Sequence, residues 1–150
     1  MTVEAEIETR IARPPAAVFD ALTDVERYPA WLIASGIVGV QRLDPGPLVP
    51  GSRLRISQTV AGRSTVLDGS VTVLDPATAF GLRGKDKDGV TIEIDASLAP
   101  DEAGTRLRWS LRLKLPLRFR MFESMVAPQA KRAAALDLEA LKRRLEAAGG

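Results

Sequence analysis

Cysteine and histidine are both absent from this sequence. That double absence excludes cysteine nucleophiles, serine–histidine–aspartate triads and every metal site built on thiolate or imidazole. It removes the side chain whose ordinary pKa lies nearest neutrality. It also leaves no disulfide to indicate a redox compartment. Aromatic residues are sparse, with one Tyr, two Trp and four Phe, so each must be explained by what it packs against. There is no long hydrophobic run. The longest apolar-rich stretch, Trp31 to Val40, contains Ser35, Gly36 and Gly39 and falls far short of the roughly 20 residues a membrane-spanning helix needs. No stable membrane insertion is expected. Met1-Thr2-Val3-Glu4-Ala5-Glu6 is acidic where a secretory signal is basic, so a cytoplasmic location is the default expectation.

What is present suits one domain spanning residues 1–150. A chain of this length buries roughly 70% of its unfolded surface and needs neither disulfide nor metal to hold a core. Net charge is only +2, yet Arg106, Arg108, Arg112, Lys114, Arg118 and Arg120 form a run without an acid. That run would attract phosphates or anionic headgroups. It lacks interleaved aromatic side chains for base stacking, so a solvated strand face is expected and nucleic acid is not.

Hydrophobic periodicity orders the chain. Val3, Ala5, Ile7, Thr9 and Ile11 alternate with charged residues, giving a strand over 3–12. Pro14-Pro15 opens a helix ending at Asp24, and a second short helix covers about 26–33. Turn signals then separate strands at 37–43, 53–60, 64–74, 78–84, 90–98 and 105–115, an antiparallel meander. In the last strand Leu107, Trp109, Leu111, Leu113 and Leu115 alternate with Arg106, Arg108, Ser110, Arg112 and Lys114. Strand 90–98 presents Glu93 and Asp95 on its polar face, so the charges of these two neighbours are expected to pair. The inward face of 64–74 stays open, because a bulge would exchange Leu67, Gly69 and Val71 for Asp68, Ser70 and Thr72.

After Pro116 the period becomes helical, and a long helix over 117–146 is predicted, bent at Pro128 and frayed at Gly149-Gly150. The fold class is therefore α+β. A curved antiparallel sheet of about seven strands wraps a long C-terminal helix. One helix cannot fill that concavity, so a cavity or groove is expected.

The run Ile11-Ala12-Arg13-Pro14-Pro15-Ala16-Ala17-Val18-Phe19-Asp20-Ala21-Leu22-Thr23-Asp24, followed by Tyr28-Pro29-Ala30-Trp31, carries a resemblance. It resembles the START-like superfamily (SRPBCC), which includes polyketide cyclase/dehydrase and lipid-transport proteins and has the helix-grip fold. The resemblance implies a hydrophobic pocket between sheet and helix for lipids, quinones or polyketide-like molecules. It implies no invariant catalytic set.

On that basis the candidate cavity lining is Trp31, Gln58, Val71, Phe80, Ile92, Ile94, Trp109, Leu111, Met121, Phe122 and Met125. Each has a plain packing alternative. Tyr28 and Trp31 either close a pocket or pin the short helices to the sheet. Trp109 would cost roughly 3–5 kcal/mol on replacement by Ala in a packed face. The methionines either adapt to a ligand or fill core. Gln58, in the row of Leu54, Ile56 and Val60, either orients a ligand or reaches solvent.

A general acid or base would have to be a carboxylate, Lys or Tyr28. Asp68 and Glu123 are the carboxylates to examine, and no catalytic residue is assigned. Lys85-Asp86-Lys87-Asp88-Gly89 faintly resembles a calcium loop but lacks the later ligands, so a hairpin tip is expected and neither metal nor cofactor is. Three functions fit: a carrier of a hydrophobic small molecule, a cyclase or dehydratase using the same cavity, and a protein-interaction module whose cavity is filled. The oligomeric state is open.

Overall fold

The computed structural model describes every residue except Met1, Ala103 and Gly150. The strands are β1 (Thr2–Ile11), β2 (Ile37–Arg42), β3 (Arg53–Val60), β4 (Arg63–Asp75), β5 (Ala79–Lys85), β6 (Thr91–Asp101) and β7 (Gly104–Lys114). Helix α1 (Pro15–Thr23) and a 3-10 turn (Val25–Ala30) follow β1; a second 3-10 turn (Leu117–Phe122) leads into α2 (Glu123–Gly149). The predicted turn at 101–104 and the frayed end include Ala103 and Gly150, which lie outside the described residues, while Gly149 is still helical.

All seven strands form one antiparallel sheet in the order β1-β7-β6-β5-β4-β3-β2. β1 lies beside β7 in unbroken register from Thr2↔Lys114 to Ile11↔Thr105. This brings Glu4, Glu6 and Glu8 under the arginines of β7. Arg112 meets Glu4 at 3.1 Å, Arg108 meets Glu6 at 3.1 Å, and Arg106 meets Glu8 at 3.3 Å. The expected link from β7 to β6 is the longer one, Arg112 to Glu93 at 3.8 Å.

The inward face of β4 carries Leu67, Gly69 and Val71, with Asp68 exposed outside. Its register shifts between Val71 and Val73. Beyond the shift, Leu74 rather than Val73 packs on the core.

One feature of the predicted long helix differs. Its first six residues wind as a 3-10 turn, and the α-helix starts only at Glu123. Pro128 does not end α2. The carbonyl left without its donor belongs to Ser124, and both residues are exposed to solvent.

The packed half of the grip lies toward the C-terminal end of α2. There Leu138 and Leu141 join Ile11, Val18, Leu22 and Leu107 in one buried cluster. A chain of edge-on rings continues it, Tyr28 to Trp31 at 5.3 Å and Trp31 to Trp109 at 5.9 Å.

Candidate functional site: an apolar cavity under the long helix

In the other half of the grip, α2 presents small residues. Ala130, Ala133 and Ala134 face the sheet one and two turns before Leu138, and Val126 and Gln129 stand above them. Alanine lacks the length to reach the concave sheet, so space remains. The resulting cavity measures about 520 Å³. Ile92, Ile94, Trp109, Leu111 and Leu113 form its sheet wall; Ile56, Leu67 and Leu82 continue it across β3, β4 and β5. Ile92, Ile94, Leu111 and Leu113 are only partly buried although they point inward, because they face the empty space.

The structure separates the candidate residues into three groups. Gln58, Ile92, Ile94, Trp109 and Leu111 border the cavity. Trp31, Val71 and Phe80 are core instead. Trp31 is held between two rings, Val71 is buried beside its β5 partner Leu82, and Phe80 packs edge-on to Phe19 at 6.4 Å. Met121, Phe122 and Met125 face outward, which corrects their placement. The 3-10 winding before Glu123 changes the helical phase, so Phe119 and Val126 turn inward in their stead. The alanines of α2 were missed as lining. The available signal was a change along one helix face from Ala130, Ala133 and Ala134 to Leu138, Leu141 and Leu145.

Polar groups sit where the cavity meets the loop 33–36 and the hairpin tips. Gln58 donates from Nε2 to the Ser35 carbonyl at 2.8 Å. The same loop is tied to α2, where Asp137 accepts from the backbone N–H of Ala34 at 2.8 Å and of Ser35 at 3.1 Å. Desolvation holds the Asp137 carboxyl above its ordinary pKa, opposed in part by these hydrogen bonds. Gly36 has φ of +77°, and a side chain there would meet the Thr59 carbonyl oxygen at 2.2 Å. Only glycine lets this loop lie so close to β3.

Tyr28 also borders the cavity, with its hydroxyl donating to the Leu22 carbonyl. Burial keeps that phenol far above its ordinary pKa.

At the opposite rim, Arg63 pairs with Asp88, and Arg118 reaches the same carboxylate at 3.8 Å. Asp86 accepts from the backbone N–H of Asp88 at 2.8 Å and Val90 at 3.0 Å. The loop resembling a calcium site thus spends this carboxylate on closing its own turn. Asp68 is exposed on the outer face of the sheet, and Glu123 begins α2 outside the lining. Among the described residues no cluster of three acidic ligands is present.

A curved antiparallel sheet gripping one long helix over a hollow interior defines the helix-grip class. The chain belongs to the polyketide cyclase / dehydrase and lipid transport family, whose model matches residues 2–146. No curated protein sequence matches it. Solved structures share the fold. Zhui aromatase/cyclase from Streptomyces sp. R1128 is 19% identical, with 97% of this chain and 94% of that chain covered and a TM-score of 0.79. The protein TTHA0849 from Thermus thermophilus is 18% identical over 100% of both chains, with a TM-score of 0.78. A START superfamily protein from Mycobacterium smegmatis is 22% identical over 97% of both chains, with a TM-score of 0.73.

Proposed function

We propose that this protein binds and carries a hydrophobic small molecule in the cavity under α2. The observation that carries this reading is an apolar space of about 520 Å³, a volume in the range of small-ligand pockets. Its walls are branched aliphatic side chains, Trp109 and alanines, which offer apolar contact and little hydrogen bonding. Affinity would come from removing apolar ligand surface from water, at roughly 25 cal/mol per Å² before ordering costs. Gln58, Ser35, Thr65 and Gln129 are among the polar residues of the lining that would orient a ligand carbonyl or hydroxyl.

A cyclase or dehydratase reaction in the same space would need an acid or base beside the substrate. The lining carboxylates are Asp86 and Asp88, one engaged by backbone N–H groups and the other by Arg63. That commitment favours carriage over catalysis.

Titration with the apolar fluorophore 1-N-phenylnaphthylamine tests the reading. Wild type is expected to bind it, and Ala130→Phe and Ala133→Phe, which fill the space, are expected to weaken binding on the order of tenfold or more without lowering the melting temperature. Native mass spectrometry of the purified protein is expected to show a co-purifying apolar molecule. Unchanged probe affinity in both folded variants would remove the cavity from consideration.

A further inference from the structure

Four large apolar side chains stand in solvent on one short stretch beside the cavity: Leu117 is 78% exposed, Met121 77%, Met125 61% and Phe122 47%. All four lie on the 3-10 turn Leu117–Phe122 and the first turn of α2, so they emerge together in one short stretch of chain. Clustered exposure of this kind marks an interaction surface.

The charge around them is one-sided. From position 114 to 132 the chain carries Lys114, Arg118, Arg120, Lys131 and Arg132 against Glu123 alone. Arg118 shares Asp88, but among the described residues no acid lies within ion-pair distance of Lys114, Arg120, Lys131 or Arg132. The contrast with β7 is direct, since Arg106, Arg108 and Arg112 are all matched by glutamates of β1. The basic run therefore divides. One half is neutralised within the sheet, and the other stays uncompensated where the apolar residues emerge.

We propose that this face docks reversibly on an anionic lipid bilayer. Exposed Leu, Met and Phe flanked by unpaired cations have the composition of an element that lies in a membrane interface. No helix of the described residues is long and apolar enough to cross a bilayer, so the contact is superficial. A second copy of this chain is a poor occupant, because a two-fold contact would bring like cations together. Phe119, between the exposed residues, and Val126, next to Met125, line the cavity, so docking would set its rim against lipid. The proposal stands on the surface alone and does not require the ligand reading.

Co-sedimentation of the full chain with vesicles tests it. Binding is expected to phosphatidylcholine vesicles containing phosphatidylglycerol and to fall on the order of tenfold or more on phosphatidylcholine alone or in high salt. The double variants Leu117→Ser/Met121→Ser and Arg120→Glu/Arg132→Glu should each lose binding. Val66→Ser, an exposed position on the outer sheet face, should keep it. All these variants should retain wild-type affinity for 1-N-phenylnaphthylamine, which separates failure of the surface from failure of the cavity. No binding of wild type to the anionic vesicles overturns the proposal, as does binding that the double variants leave intact. A wild-type dimer that Leu117→Ser dissociates would also overturn it and assign the face to a second copy.

Discussion

Asp137 is the residue on which the loop side of the cavity turns. It is 2% exposed in the middle of α2, yet it is a carboxylate. It persists there because both oxygens accept backbone N–H groups of the loop 33–36. In Asp137→Asn one oxygen becomes an NH2 facing a donor, so a loss of about 1–3 kcal/mol is expected near neutrality. The pH dependence has a definite sign. A carboxyl whose folded pKa is raised binds its proton more tightly in the folded state. Its contribution is fully present below the unfolded value, about 3.9, and declines as pH rises through the raised folded value. The advantage of wild type over Asp137→Asn in urea unfolding should therefore shrink from acid pH toward neutrality. An advantage that grew instead would mean that the hydrogen bonds outweigh desolvation. Nothing in the helical pattern announced this residue, because Asp137 sits between Leu136 and Leu138 like any solvated helix acid. Its partner loop is about a hundred positions away, and periodicity carries no such long-range information.

At the scale of elements, the alternation in β7 made its two faces legible, but not its second neighbour. A period of two says which side chains share a face, whereas the pairing of β1 with β7 brings together the first and last strands of the chain. The structure matches the cations chiefly to Glu4, Glu6 and Glu8. These pairs are about half exposed, so each contributes little, roughly 0.2–1 kcal/mol. Arg108→Ala should thus cost under about 1 kcal/mol, and the loss should largely vanish at ~1 M salt, where the screening length is about 3 Å. Arg108→Glu should cost more, because it sets a carboxylate between Glu6 and Glu8. Urea midpoints at low and high salt decide the matter; a loss that salt leaves untouched would show that Arg108 acts through packing of its stem. The 3-10 winding of Leu117–Phe122 was harder to foresee. Its residues are ordinary helix formers, and a change from 3.6 to 3 residues per turn leaves no compositional mark, although it reverses the direction of Met121 and Phe122.

Across the whole molecule, the grip has one packed half and one hollow half, and stability should divide accordingly. Leu141 is fully buried among the leucines and the α1 core, so Leu141→Ala removes packed volume and leaves a void. Ile94 points inward as well, but it borders space that is already empty. Truncating it loses transfer energy without creating a new cavity. Leu141→Ala is expected to cost about 2–5 kcal/mol and Ile94→Ala on the order of 1–2 kcal/mol, read from unfolding midpoints at constant m-value. The sheet order and the existence of a concavity follow from seven amphipathic strands and one covering helix. The amount of space does not, because it is a small difference between the volume the sheet encloses and the volume the side chains supply. Saturating the cavity with 1-N-phenylnaphthylamine should raise the melting temperature of wild type and of Leu141→Ala alike, since the ligand occupies the other half. In Ile94→Ala the rise should be smaller, because the truncated wall touches less of the probe. Equal costs for the two truncations would mean that the space beside Ile94 closes up in solution.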